Sequence, residues 1–326
     1  MSDWEGVGLH VVTGKGGTGK TTVAAALALA LAGDGRTVLL MEVEERQGLA
    51  QLFDTPPLPY EERWLAAAPG GGEVRGLAVD AHAAMYEYLD LYYRMGAAGK
   101  TLDRLGVVDF ATTVAPGLRD VLLTGKTYEA TRSQRREGQP VYDAVVLDAP
   151  PTGRITRFLD VNAAVSSLAR IGPIHRQASS IMGLLRSPRT AVHIVTQLEE
   201  MPVQEAADAA AELREVGIPL GAVVVNMVQP AMLTERQLAS ARAGSLDSDK
   251  VRAGLVAAGL DNDDETVRLL LDDAAEHAHR AALEKAQRGA VTGLERPTYE
   301  LPYLTEEIDH AALYELAADL AAQGAA

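Results

Sequence analysis

The sequence predicts an α/β protein: one doubly wound, mostly parallel sheet with helices on both faces and a helical subdomain inserted into it. Three observations predict this. Short runs rich in Val, Leu and Ile recur between turn residues, helical stretches alternate with them, and a glycine-rich loop joins the first run to the first helix. Strands buried on both faces read as continuous apolar runs, and their alternation with helices is the pattern of parallel crossovers. A chain of 326 residues has room for two domains or for one large domain with an insertion, and a single sheet makes 1–326 one domain.

The first strand is "VGLHVVT", and the Ala/Leu-rich stretch Thr21 to Ala32 is the first helix. "RTVLLMEV", "EVRGLAV", "VYDAVVLD", "TAVHIVT" and "PLGAVVVN" supply further strands, with Pro202 to Val216 a helix between the last two. "APGGGE", Ala68 to Glu73, is a loop. Residues 81–139, which include "AHAAMYEYLDLYYRMG", and 160–189 are too long and too helical for simple crossovers, and are read as one helical subdomain inserted at the strand ends. Residues 232–323 hold C-terminal helices and the last strand, with a closing helix over Thr305 to Gln323.

Composition narrows the chemistry. Hydrophobic residues make up 47% and charged residues 23%, as in an ordinary globular chain, and a net charge of −15 gives no electrostatic footprint for nucleic acid or an anionic membrane. There is no cysteine, which excludes disulfides, Cys-ligated zinc, iron–sulfur clusters and a catalytic thiol. The acidic N-terminus lacks the layout of a signal peptide, and the longest apolar run, "VAAALALALA", is too short to span a bilayer. A cytoplasmic protein without stable membrane insertion is expected.

"TGKGGTGKTT" carries the chemistry. It fits G-x-x-x-x-G-K-[ST] through Gly14, Gly19, Lys20 and Thr21, after an apolar strand and at the start of a helix, the context of a phosphate-binding P-loop. Gly14, Gly16, Gly17, Thr18 and Gly19 let successive backbone N–H groups turn toward the phosphates of ATP, at the helix N-terminus that also holds Thr22. Lys20 reaches the β- and γ-phosphates and the Thr21 hydroxyl ligates Mg²⁺. In "VVLDAPPTGRITRFLD", Asp148 ends an apolar strand where its carboxylate can hold a magnesium-bound water, and Gly153 lies in a loop able to sense the γ-phosphate. A loop without ligand and a strand-end cap are the plainer readings of these two motifs.

With Lys15 directly after the first glycine, where a solvated loop lysine is the plainer reading, the loop resembles the deviant Walker A loop of the dimerising P-loop ATPases. With it, "VLLMEVEERQGLAQLF", "APGLRDVLLTGKTYE", "LDAPPTGRITRFL", "VVVN" and "ELPYL" stand in the order found in the arsenite-pump and tail-anchored-protein-targeting ATPases. The chain resembles that family over most of its length, and most of all its actinobacterial anion-transporter-type subunits, often encoded as tandem unequal pairs. The resemblance implies that Lys15 acts across a dimer interface on the facing subunit's phosphates. It also implies that Asn226 reads the adenine edge and that Pro302, Tyr303 and Leu304 pack against the base, although Asn226 also suits a strand-end cap.

Departures from the family pattern matter as much. Where the family has an Asp-Pro whose aspartate orients the attacking water, this chain has Glu44 followed by Glu45, which implies slow or partner-dependent hydrolysis. The histidine usual after "PTG" is Arg154, open to a phosphate, an acidic partner or solvent. These differences favour a heterodimer with a paralogous ATPase subunit over a homodimer, serving an unknown protein client. The zinc-bridging and arsenite-sensing cysteines are missing. His277 and His279, two residues apart on a helix, point in different directions and make no metal site. Met85, Tyr86, Tyr88, Leu89, Tyr92, Tyr93 and Met95 suit a packing stripe better than a client groove, since Met85, Leu89 and Tyr92 share one helix face. The activity expected is Mg-dependent ATP hydrolysis catalysed by Lys15, Lys20, Glu44 and Asp148. The alternatives are a nucleotide-binding regulatory subunit with little turnover and a ligase of the same fold, which would not need Lys15.

Overall fold

Strand β1 (Leu9–Gly14) is buried at every position, as a central strand covered on both faces must be. The computed structural model describes residues 3–44, 46–93, 116–134, 140–168 and 173–326. Around β1 lie β2 (Thr37–Glu42), β3 (Arg63–Ala67), β4 (Glu73–Ala78), β5 (Ala144–Asp148), β6 (Thr190–Thr196), β7 (Leu220–Val228) and β8 (Thr298–Pro302). They form one eight-stranded sheet in the order β3-β4-β2-β5-β1-β6-β7-β8. Every pairing is parallel except β3 with β4, which is antiparallel. The α/β architecture and mostly parallel sheet follow the sequence reading. Strand β3 does not, because at the sheet's edge "RWLAA" buries only Leu65 and Ala66 and lacks the long apolar run of a central strand.

Alternate residues feed two cores. Val12, Val38, Leu40, Val146, Val195 and Val224 face one way, against α1 (Lys20–Leu31) and α11 (His310–Ala322). Leu9, Val11, Leu39, Leu147, Ile194 and Val225 face the other, against α5 (Thr152–Leu168), α6 (Pro173–Leu185) and α7 (Glu200–Glu215). The alanines of α1 are all but one buried, and their small size lets the helix lie close to the sheet while α11 covers its outer side. Between β2 and β3 runs the short α2 (Gly48–Leu52), and between β4 and β5 run α3 (Ala81–Tyr93) and α4 (Pro116–Arg132). Between β7 and β8 run α8 (Glu235–Arg242), α9 (Ser248–Ala257) and the 29-residue α10 (Asp264–Thr292), the first two capped by the side chains of Thr234 and Asp247 and the third by that of Asp263. Glu45, Met95 and the side chains of Tyr88, Leu89, Tyr92 and Tyr93 lie outside the described residues, as do residues 94–115 and 135–139 of the stretch read as an insertion. Among the described residues no helix is long and apolar enough to cross a membrane.

A polar pair sits inside the first of these cores. His10 of β1 and His193 of β6 are fully buried and stacked, with ring centroids 5.4 Å apart and planes 7° from parallel. Because the Ala222 N–H donates to His193 Nδ1, Nε2 of that ring carries the proton and donates to His10 Nδ1 across 3.1 Å. Burial lowers the pKa of both rings, that of His10 to about 4, so the pair folds neutral.

Candidate functional site

The loop from β1 to α1 is shaped by close backbone approach. A Cβ on Gly14 would stand 2.3 Å from the Val195 carbonyl oxygen, and one on Gly19 would stand 2.3 Å from Asn226 Nδ2. Gly19 is also the residue before α1 and has φ +81°, a left-handed conformation that a side chain resists. Asn226 closes the loop from β7 by donating from Nδ2 to the Thr18 carbonyl at 2.9 Å, while Thr18 Oγ1 donates to the Lys15 carbonyl at 2.8 Å. Gly19→Ala should therefore destabilise the fold by about 1–3 kcal/mol and weaken nucleotide binding. Thermal melts and titration with a fluorescent ATP analogue check both effects, and wild-type values for both would contradict this account of the loop.

Where α1 begins, the loop meets the end of β5. Thr21 Oγ1 donates to Asp148 Oδ2 at 2.7 Å, and the register of the sheet sets Asp148 beside Val12 on one side and Glu42 on the other. Burial pushes the Asp148 carboxyl up to about 6, with Glu42 and Glu44 pushing the same way and the Thr21 hydrogen bond and the Lys20 charge opposing them. Its Oδ1 is buried and has no hydrogen-bond partner among the described residues. A hydroxyl and a carboxylate whose free oxygen is buried make a hard-oxygen donor set that fits Mg²⁺ arriving with a nucleotide. Lys20, the first residue of α1, is buried beside them.

The acidic strand end of β2 divides into two roles. Glu42 is buried and accepts from the backbone N–H groups of Gly48 and Leu49, at 3.0 and 3.2 Å, so its charge is spent on the start of α2. Glu44 lies beyond the strand, mostly buried, with Arg46 Nε 4.0 Å from its carboxylate. Gln47, at φ 54°, closes the same loop by accepting from the Leu58 N–H at 2.7 Å.

Lys15 does not simply face solvent: its Nζ lies 3.0 Å from Glu205 Oε1 on α7. Gly153 is exposed in the first turn of α5. Arg154 beside it meets Asp120 of α4 at 3.6 Å, an acidic group of its own chain, where the sequence left phosphate, partner or solvent open. At the end of β7, Gln197, Met227, Val228, Tyr303, Arg280 and Leu283 are among the residues lining a cavity of about 540 Å³. Gln197 Nε2 lies 2.9 Å from Met227 Sδ, and Met227 is held at φ 60°. Pro302 and Tyr303 are exposed and Leu304 is half-buried, with the Tyr303 N–H bound to the Val228 carbonyl at 2.9 Å.

The geometry thus brings Lys20, Thr21 and Asp148 together with the glycine loop and Asn226, and sets Glu44 two residues beyond the end of β2, close enough to Asp148 to bias its ionisation. Sequence reasoning missed Glu42, Glu205, Gln197 and Met227. Only Glu42 left a local signal, a carboxylate at the last position of a strand that is otherwise apolar.

Known proteins extend the comparison. The family model for anion-transporting ATPases matches residues 9–189, from β1 to the turn before β6. ATPase BagA of Mycobacterium tuberculosis is 53% identical over 319 residues, covering 98% of this chain and 94% of its own length. An arsenical pump-driving ATPase of Acidiphilium multivorum is 27% identical over 250 residues, covering 70% of this chain and 41% of its own length. ATPase get3 of Schizosaccharomyces japonicus is 27% identical over 180 residues, 53% of this chain and 52% of its own. A glycine loop opening α1, a hydroxyl–carboxylate pair where β5 meets it, and these matches together place the chain in the anion-transporting ATPase family.

Proposed function

We propose that this chain is a Mg-dependent, ATP-hydrolysing switch that works as a dimer, as one subunit of a heterodimer with a paralogous ATPase. The observation that carries the reading is the 2.7 Å contact from Thr21 to Asp148, a buried carboxylate with one oxygen unsatisfied among the described residues, beside a buried Lys20. Thr21 and, through water, Asp148 would hold Mg²⁺, which when bound offsets phosphate charge. Gly14, Gly16, Gly17, Thr18, Gly19 and Thr22 surround the phosphates, and Lys20 binds the β- and γ-phosphates. The base lies toward Asn226, Pro302, Tyr303 and Leu304, beside the cavity at the end of β7. Water attacks the γ-phosphate in line, oriented by Glu44, while Lys15 adds positive charge from the facing subunit. Gly153 and α5 carry the phosphate state toward the described helices α3, α4 and α6, through which an unidentified protein client is engaged. The two departures at Glu44 and Arg154 support a partner subunit that carries the usual aspartate.

Glu44 gives a direct test of the catalytic reading. Glu44→Gln should leave ATP affinity nearly intact and lower single-turnover hydrolysis by about 10²-fold or more, the scale of a positioned acid–base group. An unchanged rate would return Glu44 to a strand-end charge. A second reading, a regulatory subunit that binds ATP without useful turnover, is supported by the position of Arg46, which lies against the carboxylate that must orient water. Turnover of the purified chain, alone and with its paralogue, separates the two. Light scattering after co-expression tests the pairing, and a stable homodimer with full activity and no affinity for the paralogue would refute the heterodimer.

A further inference from the structure

Glu205 makes two contacts with one carboxylate, and they join two parts of the site. Its Oε1 holds Lys15 Nζ at 3.0 Å, and its Oε2 accepts from Thr152 Oγ1 at 3.1 Å. Lys15 is in the phosphate loop, whereas Thr152 is the buried first residue of α5, next to Gly153. The same segment is tied to β1 a second time, since Thr13 Oγ1 donates to the Pro150 carbonyl at 2.7 Å. Glu205 itself projects from α7, a helix packed on both β1 and α5, so its backbone is fixed relative to both contacts.

We infer that Glu205 is a positioning residue that keeps Lys15 on its own subunit until a facing subunit offers phosphates in exchange. The inference rests on the ATPase reading above and deepens it. A lysine ammonium can be paired with Glu205 or extended across an interface, but not both. With the side chains of Lys15 and Glu205 30% and 35% exposed, the pair is only partly desolvated. Such pairs bias an equilibrium by up to about fivefold, enough to hold Lys15 back in the free subunit and weak enough for a triphosphate to displace the carboxylate. Release of Lys15 also leaves the Thr152 hydroxyl as the remaining partner of that carboxylate among the described residues, so assembly of the dimer alters what holds the first turn of α5. The ion pair thereby couples dimer formation to the segment that follows Asp148.

Glu205→Gln tests this, because it removes the charge while keeping an oxygen for Thr152. The first readout needs no nucleotide: acetylation of Lys15 by a small amine-reactive ester, followed by peptide mass spectrometry with exposed Lys250 as internal reference. In E205Q the Lys15 rate relative to Lys250 should rise by about twofold to fivefold. The second readout is ATP-dependent association, of the chain alone and with the paralogous subunit, by sedimentation. In association of the chain with itself both subunits carry the change and two pairs no longer need to open, so dimers should form at a concentration lower by up to about twenty-fivefold; with the paralogous subunit, where one pair is removed, by up to about fivefold. Equal labelling ratios overturn the inference, as does association that is unchanged, weaker or absent in E205Q. Failure of the unsubstituted chain to bind ATP would instead refute the ATPase reading. A chain that binds ATP but associates equally with and without E205Q refutes the role of Glu205 alone.

Discussion

Lys15→Ala should bind ATP and Mg²⁺ almost as the unsubstituted chain does, yet hydrolyse ATP about 10³- to 10⁵-fold more slowly in a single turnover. That range is the worth of a cation supplied in trans to a transferring phosphoryl group. The expectation comes from position. Lys20 is the first residue of α1, buried, and close enough to Asp148 to bias its ionisation, a position from which the proposed function has it act on phosphates held by its own loop. Lys20→Ala should therefore weaken ATP binding itself. Lys15 sits at the loop's opening, 30% exposed and paired with a partly exposed carboxylate, so it can leave. An affinity loss for Lys15→Ala as large as that for Lys20→Ala would mean that both lysines serve one subunit.

Asp148→Asn should show opposite effects on stability and activity. A carboxyl whose pKa rises to about 6 in the folded chain, against an ordinary 3.8, folds at neutral pH against a penalty of about 3 kcal/mol. Asparagine removes that penalty and keeps an acceptor for the Thr21 hydroxyl, but leaves new amide hydrogens to satisfy. A net gain of about 1–2 kcal/mol in the nucleotide-free protein is expected from urea unfolding at pH 7.5. Mg-dependent hydrolysis should be lost, and added Mg-ATP should raise the melting temperature of the unsubstituted protein more than that of the variant.

The pH dependence gives this prediction a second arm. For Asp148 the folded value lies above the unfolded one, so its contribution improves as pH falls from about 6 toward 3.8. The buried histidine pair has the opposite sign. His10, lowered from 6.5 to about 4, leaves the fold fully stable above pH 6.5 and removes about 3 kcal/mol as pH falls toward 4, with His193 adding to the loss. The two effects partly cancel in the unsubstituted chain. In D148N the compensation is gone, so its stability should fall more steeply with pH over that window. Parallel pH profiles for the two proteins would contradict the assignment of Asp148.

How much of this was legible in the sequence depended on whether the information was local. The glycine loop, Lys20 and Thr21 occupy consecutive positions, and Asp148 follows an apolar run, so strand, loop and helix could be read from spacing alone. Strand β3 was not legible because an edge strand buries too few residues to leave a period. The carboxylates of β2 were legible as charges but not as roles. Glu42 is spent on the amides of Gly48 and Leu49, a consequence of α2 folding back over the strand end, and the family comparison had pointed only to Glu44. Glu205 left no signal, since one glutamate among several in an amphipathic helix becomes distinctive only when β1, α5 and α7 are packed together.

Whether a second subunit completes the site, as proposed, is decided by mixed dimers. One preparation joins a Lys15→Ala subunit to a Lys20→Ala subunit, and another carries both changes in the same subunit opposite an unsubstituted one. If Lys15 acts across the interface, the first arrangement places both defects on the same phosphates and leaves the other site intact. The second spreads the defects over both sites. Single-turnover hydrolysis should therefore be clearly faster in the first preparation than in the second, and equal rates would contradict the claim.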